Sequence, residues 1–229
     1  MKRVYSSYNL AAVRLGMDDD IPRLPSIVLG GHETSPFDVA RAYSVFANSG
    51  FAAAPLSVVR VADRAGRLVE GHRVAITRVI PAADAYLVTH LLEGVMQRGT
   101  GRLARALGFR APAAGKTGTT NDYNDAWFVG YTPELLAVVW VGFDRDAQLG
   151  MTGAQAALPI WTEFMRKALE GRPPAEFVPP PGVVVEDIDV ASGLKARAEC
   201  GEFVSDAFLA GEEPETYCTS RDNWMFLLH

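Results

Sequence analysis

The sequence predicts an α+β fold, an antiparallel sheet packed between helices. Three observations carry this. Two apolar runs, Asp125 to Tyr131 and Leu135 to Phe143, flank a Thr132-Pro133-Glu134 turn and read as a hairpin. Ser35-Pro36 with Asp38 marks a capped helix start, and apolar residues follow at helical spacing. Further helical patterns begin at Pro81 and near Ala156.

Composition sets the limits. A chain of 229 residues can bury a substantial core, as one domain or one and a half. Its 48% hydrophobic and 21% charged residues are ordinary for a globular protein. A net charge of −5 argues against a binder that tracks phosphates, so no nucleic-acid partner is expected. The longest apolar run, Leu135 to Phe143, is too short to span a bilayer. Met1-Lys2-Arg3 is basic, but the polar Val4 to Asn9 follows it, so no signal peptide or anchor is expected in this chain. Cys200 and Cys218 lack metal-type spacing, which predicts neither a metal site nor a cofactor. A disulfide and two structural thiols remain equally open.

In chain order, Ser6 or Ser7 can cap a short helical pattern from Leu10 to Leu15 that ends at Gly16. Asp18-Asp19-Asp20 is a solvated acidic run, and His32 beside Glu33 reads as a surface pair. The helix capped by Ser35 should place Val39, Ala42, Tyr43 and Phe46 on one face and close at Gly50. Pro55 to Val61 reads as a strand that Ala65-Gly66 turns towards a second, weaker one. The helix after Pro81 should bury Leu87, Leu91 and Val95. Gly99-Thr100-Gly101 is no phosphate loop, because no Lys-Ser/Thr follows it. Arg102 to Leu107 is a short helix, and the helix near Ala156 should pack Ile160, Phe164 and Leu169 on the sheet. The expected organisation is a domain over 1–171, a proline-rich linker over 172–183 and a weakly structured tail over 184–229. Where linker meets tail, Val183-Val184-Val185 reads as one stray strand.

Chemistry concentrates in Ala114-Gly115-Lys116-Thr117-Gly118-Thr119-Thr120. Gly115 and Gly118 let the backbone pass close to a ligand. Lys116 brings a charge, and Thr117 and Thr119 bring hydroxyls, a combination suited to an anionic, peptide-like substrate on a strand edge. This run, continued through Asn121-Asp122 and Asp125 to Pro133, resembles the third motif of the penicillin-binding transpeptidases, most closely the bifunctional class A members. Ser7-Tyr8-Asn9 is similar to their second motif, Leu29 to Pro36 resembles family scaffold, and the resemblance implies that Gly99-Thr100-Gly101 gives a tight approach beside the active-site strand. The resemblance implies a β-lactamase/transpeptidase-like fold, incomplete at its N-terminus, and covers about residues 5–171.

The family's first motif, Ser-x-x-Lys, puts nucleophile and activating lysine on one helix face. Here it occurs once, as Ser192-Gly193-Leu194-Lys195, behind the proline-rich stretch, in the wrong order and interrupted by a helix-breaking glycine. The expectation is a C-terminal piece of a transpeptidase, without its nucleophile and inactive alone. By resemblance, Ser7 relays a proton, Asn9 holds a substrate amide, and Lys116 supplies positive potential. Thr117, Gly118, Thr119 and Thr120 receive substrate, with the terminal carboxylate at Thr117 and Thr119. The implied partners are peptidoglycan stem peptides and β-lactams, with membrane attachment only through an N-terminal anchor of a full-length protein. The implied location is the extracytoplasmic face of the bacterial inner membrane. The alternatives are a non-catalytic wall- or β-lactam-binding module and a β-lactamase-like hydrolase. The hydrolase would need the same serine, and no candidate deacylating Glu stands out.

Overall fold

The computed structural model describes residues 14–17, 33–119, 123–145 and 147–219. The chain divides into two compact units, Met1–Phe177 and Val178–His229.

In the first unit, helix α1 spans Pro36–Ala47. Ser35 is extended at φ −95°, and its Oγ accepts from the Asp38 backbone N–H at 3.1 Å while donating to Asp38 Oδ2 at 2.6 Å. That reciprocal pair satisfies a donor the helix start would otherwise leave open. Ala42 and Val45 form its buried centre, one step around from the expected Tyr43 and Phe46. Gly50 ends the turn at φ +91°, donating to Val45 O at 2.8 Å. A Cβ there would sit 2.3 Å from Ile80 O, so only glycine fits.

Four short strands follow: β1 Phe51–Ala53, β2 Arg60–Ala62, β3 Leu68–Gly71 and β4 Ile76–Arg78. β1 pairs with β4 and β2 with β3, all antiparallel. The strand expected over 55–61 shrinks to its last residues, consistent with Pro55, which has no N–H for a ladder. The turn at Ala65-Gly66 forms as expected. Asp63 Oδ1 accepts from the Ala65 and Arg67 N–H groups at 2.8 and 2.9 Å, and Gly66 takes φ +78°.

Helix α2, Ala82–Gln97, leads through Gly99-Thr100-Gly101 to the single-turn α3, Leu103–Ala106. β5 Ala114–Thr119, β6 Ala126–Tyr131 and β7 Leu136–Val141 then form an antiparallel sheet in that order, so β5 is an edge among the described residues. Thr132 Oγ1 organises the β6–β7 turn by accepting from the Glu134 and Leu135 N–H groups. Helix α4, Ala157–Ala168, covers one sheet face. The core joins Met96, Phe109, Phe128, Leu158, Trp161 and Met165.

Two helix faces correct the sequence reading. α2 buries Ala85, Thr89 and Met96, whereas Leu91 is 67% exposed and Leu87 and Val95 are only half-buried. A polar contact accompanies that rotation: Thr89 Oγ1 meets the buried Tyr131 hydroxyl at 2.9 Å, giving a phenol in the core its partner. α4 buries Leu158, Trp161 and Met165, leaving Ile160 53% and Phe164 51% exposed. Trp161 sets this register: its Nε1–H donates to Gly130 O at 3.1 Å, and a Cβ on Gly130 would lie 2.8 Å from the indole. Leu169 packs against the core as expected.

The second unit also differs from its expectation. β8 Val183–Asp189 and β9 Phe203–Leu209 pair antiparallel along their whole length, and Cys200 and Cys218 form a disulfide with Cα atoms 6.2 Å apart. Acidic residues interleave β8, and its partner lies beyond a long connection, so local patterning does not announce the pair. Lys195 Nζ pairs with Glu186 Oε1 at 3.0 Å, and the Arg197 guanidinium lies 4.2 Å from the Tyr217 ring centroid.

Candidate active-site strand

β5 pairs with β6 in a register that places Lys116 opposite Val129, Thr117 opposite Phe128 and Gly118 opposite Trp127. Strand alternation sends Gly115, Thr117 and Thr119 to the α4 face and Ala114, Lys116 and Gly118 to the other. Atoms of the neighbouring strand crowd the glycines. A Cβ on Gly115 would fall 2.8 Å from Phe128 Cζ and 2.9 Å from Val129 O, and one on Gly118 would fall 3.1 Å from Trp127 Cβ. Glycine therefore serves close packing here.

The polar groups are held from behind. Thr117 Oγ1 and Thr100 Oγ1 lie 2.8 Å apart, so the Gly99-Thr100-Gly101 arm fixes a site hydroxyl. Thr119 Oγ1 accepts the Gly153 N–H at 3.1 Å. Gly153 wedges against the sheet, since a Cβ there would fall 2.3 Å from Trp127 O and 2.5 Å from Gly118 O. Lys116 is exposed and its Nζ donates to Thr117 O at 2.7 Å, folding the charge along the strand. Trp127 and Trp140 stand with ring centroids 6.2 Å apart, and Trp140 Nε1–H donates to Asp125 Oδ1 at 2.8 Å.

An edge strand carrying one cation and two oriented hydroxyls can accept an extended peptide by main-chain pairing and bind its carboxylate. Of the expected site residues, Lys116, Thr117, Gly118 and Thr119 lie together on β5. Ser7, Asn9 and Thr120 lie outside the described residues. Ser192 sits on a turn, with Gly193 at φ +72°, and Lys195 follows it in β-bridges to Ile188 and Tyr217. Ser192 Oγ donates to Asp189 Oδ2 at 2.7 Å, and Lys195 pairs with Glu186. That arrangement contains no activated serine–lysine pair.

Sequence reasoning missed Gly153, a loop glycine whose contacts are remote in the chain, and Thr100 as the partner of Thr117. It also missed Glu93. Burial first, and then the like charge of Glu176, push its carboxyl up to about 7, with Arg105 opposing. His90 Nδ1 lies 3.9 Å from Glu93 Oε2.

Comparison with known proteins gives the family. The family model described as penicillin binding protein transpeptidase domain matches residues 27–166, and that of the penicillin-binding protein 1A C-terminal domain matches residues 179–222. The chain is 35% identical to penicillin-binding protein 1A of Aquifex aeolicus over 208 residues, covering 90% of this chain and 28% of that protein. It is 40% identical to penicillin-binding protein 1A of Neisseria lactamica over 174 residues, covering 72% of this chain and 21% of the relative. It thus spans about a quarter of the length of these curated relatives. The crystal structure of penicillin-binding protein 1A from Haemophilus influenzae superposes with a TM-score of 0.80 at 27% identity, covering 90% of this chain and 36% of that one. The chain belongs to the penicillin-binding protein transpeptidase family.

Proposed function

We propose that this chain contributes the carboxylate-binding wall of a peptidoglycan D-Ala-D-Ala transpeptidase pocket, one that also receives penicillins. The observation that carries the reading is the exposed β5 edge, with Lys116 along it and the Thr117 and Thr119 hydroxyls each held by a group behind the strand. Thr117 and Thr119 take the terminal carboxylate of the stem peptide, with Gly118 and Thr120 alongside. Lys116 supplies the positive potential that draws that carboxylate in and favours ionised oxygen nearby. The Thr119 backbone N–H is one oxyanion donor. Asn9 holds the substrate amide, and Ser7 carries the proton to the departing amine.

In the complete reaction a serine hydroxyl oxygen attacks the penultimate D-Ala carbonyl. The peptide C–N bond breaks, terminal D-Ala leaves with the proton, and a serine ester remains. An amine of a second stem peptide then attacks that ester, forming the cross-link and freeing the serine. The only Ser-x-x-Lys of these 229 residues is the turn at Ser192, so the serine is not supplied by this chain and the chain alone does not turn over. The reaction belongs on the extracytoplasmic face of the inner membrane, where the polymer is built.

The test uses the 229-residue chain with a fluorescent penicillin and, separately, a D-Ala-D-Ala peptide. Intact-mass analysis should show no adduct. The peptide should shift the backbone amide signals of Thr117 to Thr119 reversibly, and Lys116→Ala should abolish the shift. A penicilloyl adduct on any residue, or peptide shifts that leave β5 untouched, would overturn the reading.

A further inference from the structure

Asp189 closes β8 inside the second unit, fully buried. Its Oδ2 accepts from Ser192 Oγ at 2.7 Å and from the Ser192 backbone N–H at 2.8 Å. Its Oδ1 is buried with no hydrogen-bond partner. A buried carboxylate oxygen left unbonded is costly, and in native proteins it commonly marks a missing partner. Beside it stands the cross-link: a carboxylate oxygen of Asp189 and the sulfurs of Cys200 and Cys218 all lie within 4.8 Å of one another. Cys218 is buried and Cys200 half-buried.

We propose that, once its disulfide is reduced, the second unit binds one thiophilic divalent cation of the zinc class through Cys200, Cys218 and Asp189. The spacing suits a tetrahedral ion with two sulfurs at ~2.3 Å and one oxygen at ~2.1 Å, the fourth position falling to water. The chemistry balances. A small dithiol reductant delivers two electrons and two protons to the S–S bond, giving two thiols and an oxidised dithiol. The cation then displaces both thiol protons, and the Asp189 charge compensates the ion. The disulfide and the metal are thus alternative staples between the β8–β9 loop and the segment after β9. Sequence spacing misses the site because Asp189 stands on a different element from both cysteines.

The test titrates Co²⁺, then Zn²⁺, into the 229-residue chain, reduced and freed of reductant without oxygen. The reduced chain should take up one Co²⁺ with a thiolate-to-cobalt charge-transfer band that Zn²⁺ abolishes, and the oxidised chain should show none. Asp189→Asn keeps an acceptor for Ser192 and should weaken Co²⁺ binding at least ~10-fold. Cys200→Ser should abolish the band. Hydrogen exchange on the reduced wild-type chain gives a readout free of substitutions: Zn²⁺ should restore the amide protection of β8 and β9 that reduction removes. No band in the reduced chain, equal Co²⁺ affinity in Asp189→Asn, or exchange indifferent to Zn²⁺ would each overturn the proposal.

Discussion

The β5–β6–β7 sheet and the β8–β9 hairpin are both antiparallel, yet they are stabilised differently. The first is packed. Trp161 stacks edge-on against Phe109 and Phe128, with ring centroids at 5.2 and 5.0 Å, and the glycines let backbone and indole meet. The second has few fully buried side chains among its described residues, Asp189 and Cys218 foremost, and is closed by a covalent bond. A unit of that size buries too little apolar surface to dispense with a staple. The contrast teaches that strand pairing sets the shape in both units, while packing in one and cross-linking in the other sets the stability.

The sharpest way to break this contrast is Trp161→Ala. It should cost the first unit about 3–5 kcal/mol in denaturant unfolding, as a fully buried indole and its bond to Gly130 are lost. Amide exchange across β5–β7 should then approach that of the loops. Next comes the staple. Replacing Cys200 and Cys218 by serine releases a sequence separation of 18 residues and should cost the second unit about 3 kcal/mol, read as lost protection in β8 and β9. Equal losses in the two units from either change would dissolve the distinction.

Gly153→Ala is a smaller, local test. Its Cβ would overlap Trp127 O and Gly118 O, and the displacement should cost roughly 1–3 kcal/mol and shift the Gly118 and Thr119 amide signals. The smallest effect is electrostatic. The Glu93 carboxyl is raised to about 7 in the folded chain from 4.5, so between those values the native state holds more protons than the unfolded one. Stability of the first unit should therefore fall as pH rises from about 4.5 to 7. Glu93→Gln should flatten that slope, adding roughly 1 kcal/mol near pH 8 and little near pH 4, less than about 1.4 kcal/mol per unit implies because the group keeps some water. A slope unchanged in Glu93→Gln would assign the effect elsewhere.

What could be read in advance follows the range of the interactions. The α1 start was legible because Ser35, Pro36 and Asp38 act within one turn, and the β6–β7 hairpin because Thr132 builds its turn locally. The β5 strand was legible because its charge, hydroxyls and glycines are contiguous. The faces of α2 and α4 were not, because Tyr131 and Gly130, far away in the chain, accompany the side chains that turn inward. The β8–β9 pair escaped for the same reason, its partners meeting only across a long connection, which the disulfide ties to the segment after β9. Within the site, Thr100 and Gly153 act on β5 from a distance that no local pattern spans.

The Gly153 wedge has a practical outcome for protein engineering. Its N–H anchors Thr119 from 34 residues downstream, and its bare α-carbon is the spacer that sets how far the strand edge projects. Lengthening or re-sequencing the 147–156 loop should therefore move the β5 edge while leaving the Lys-Thr-Gly signature unaltered, and under the function proposed above it would retune ligand fit in a way that inspection of the signature alone would overlook.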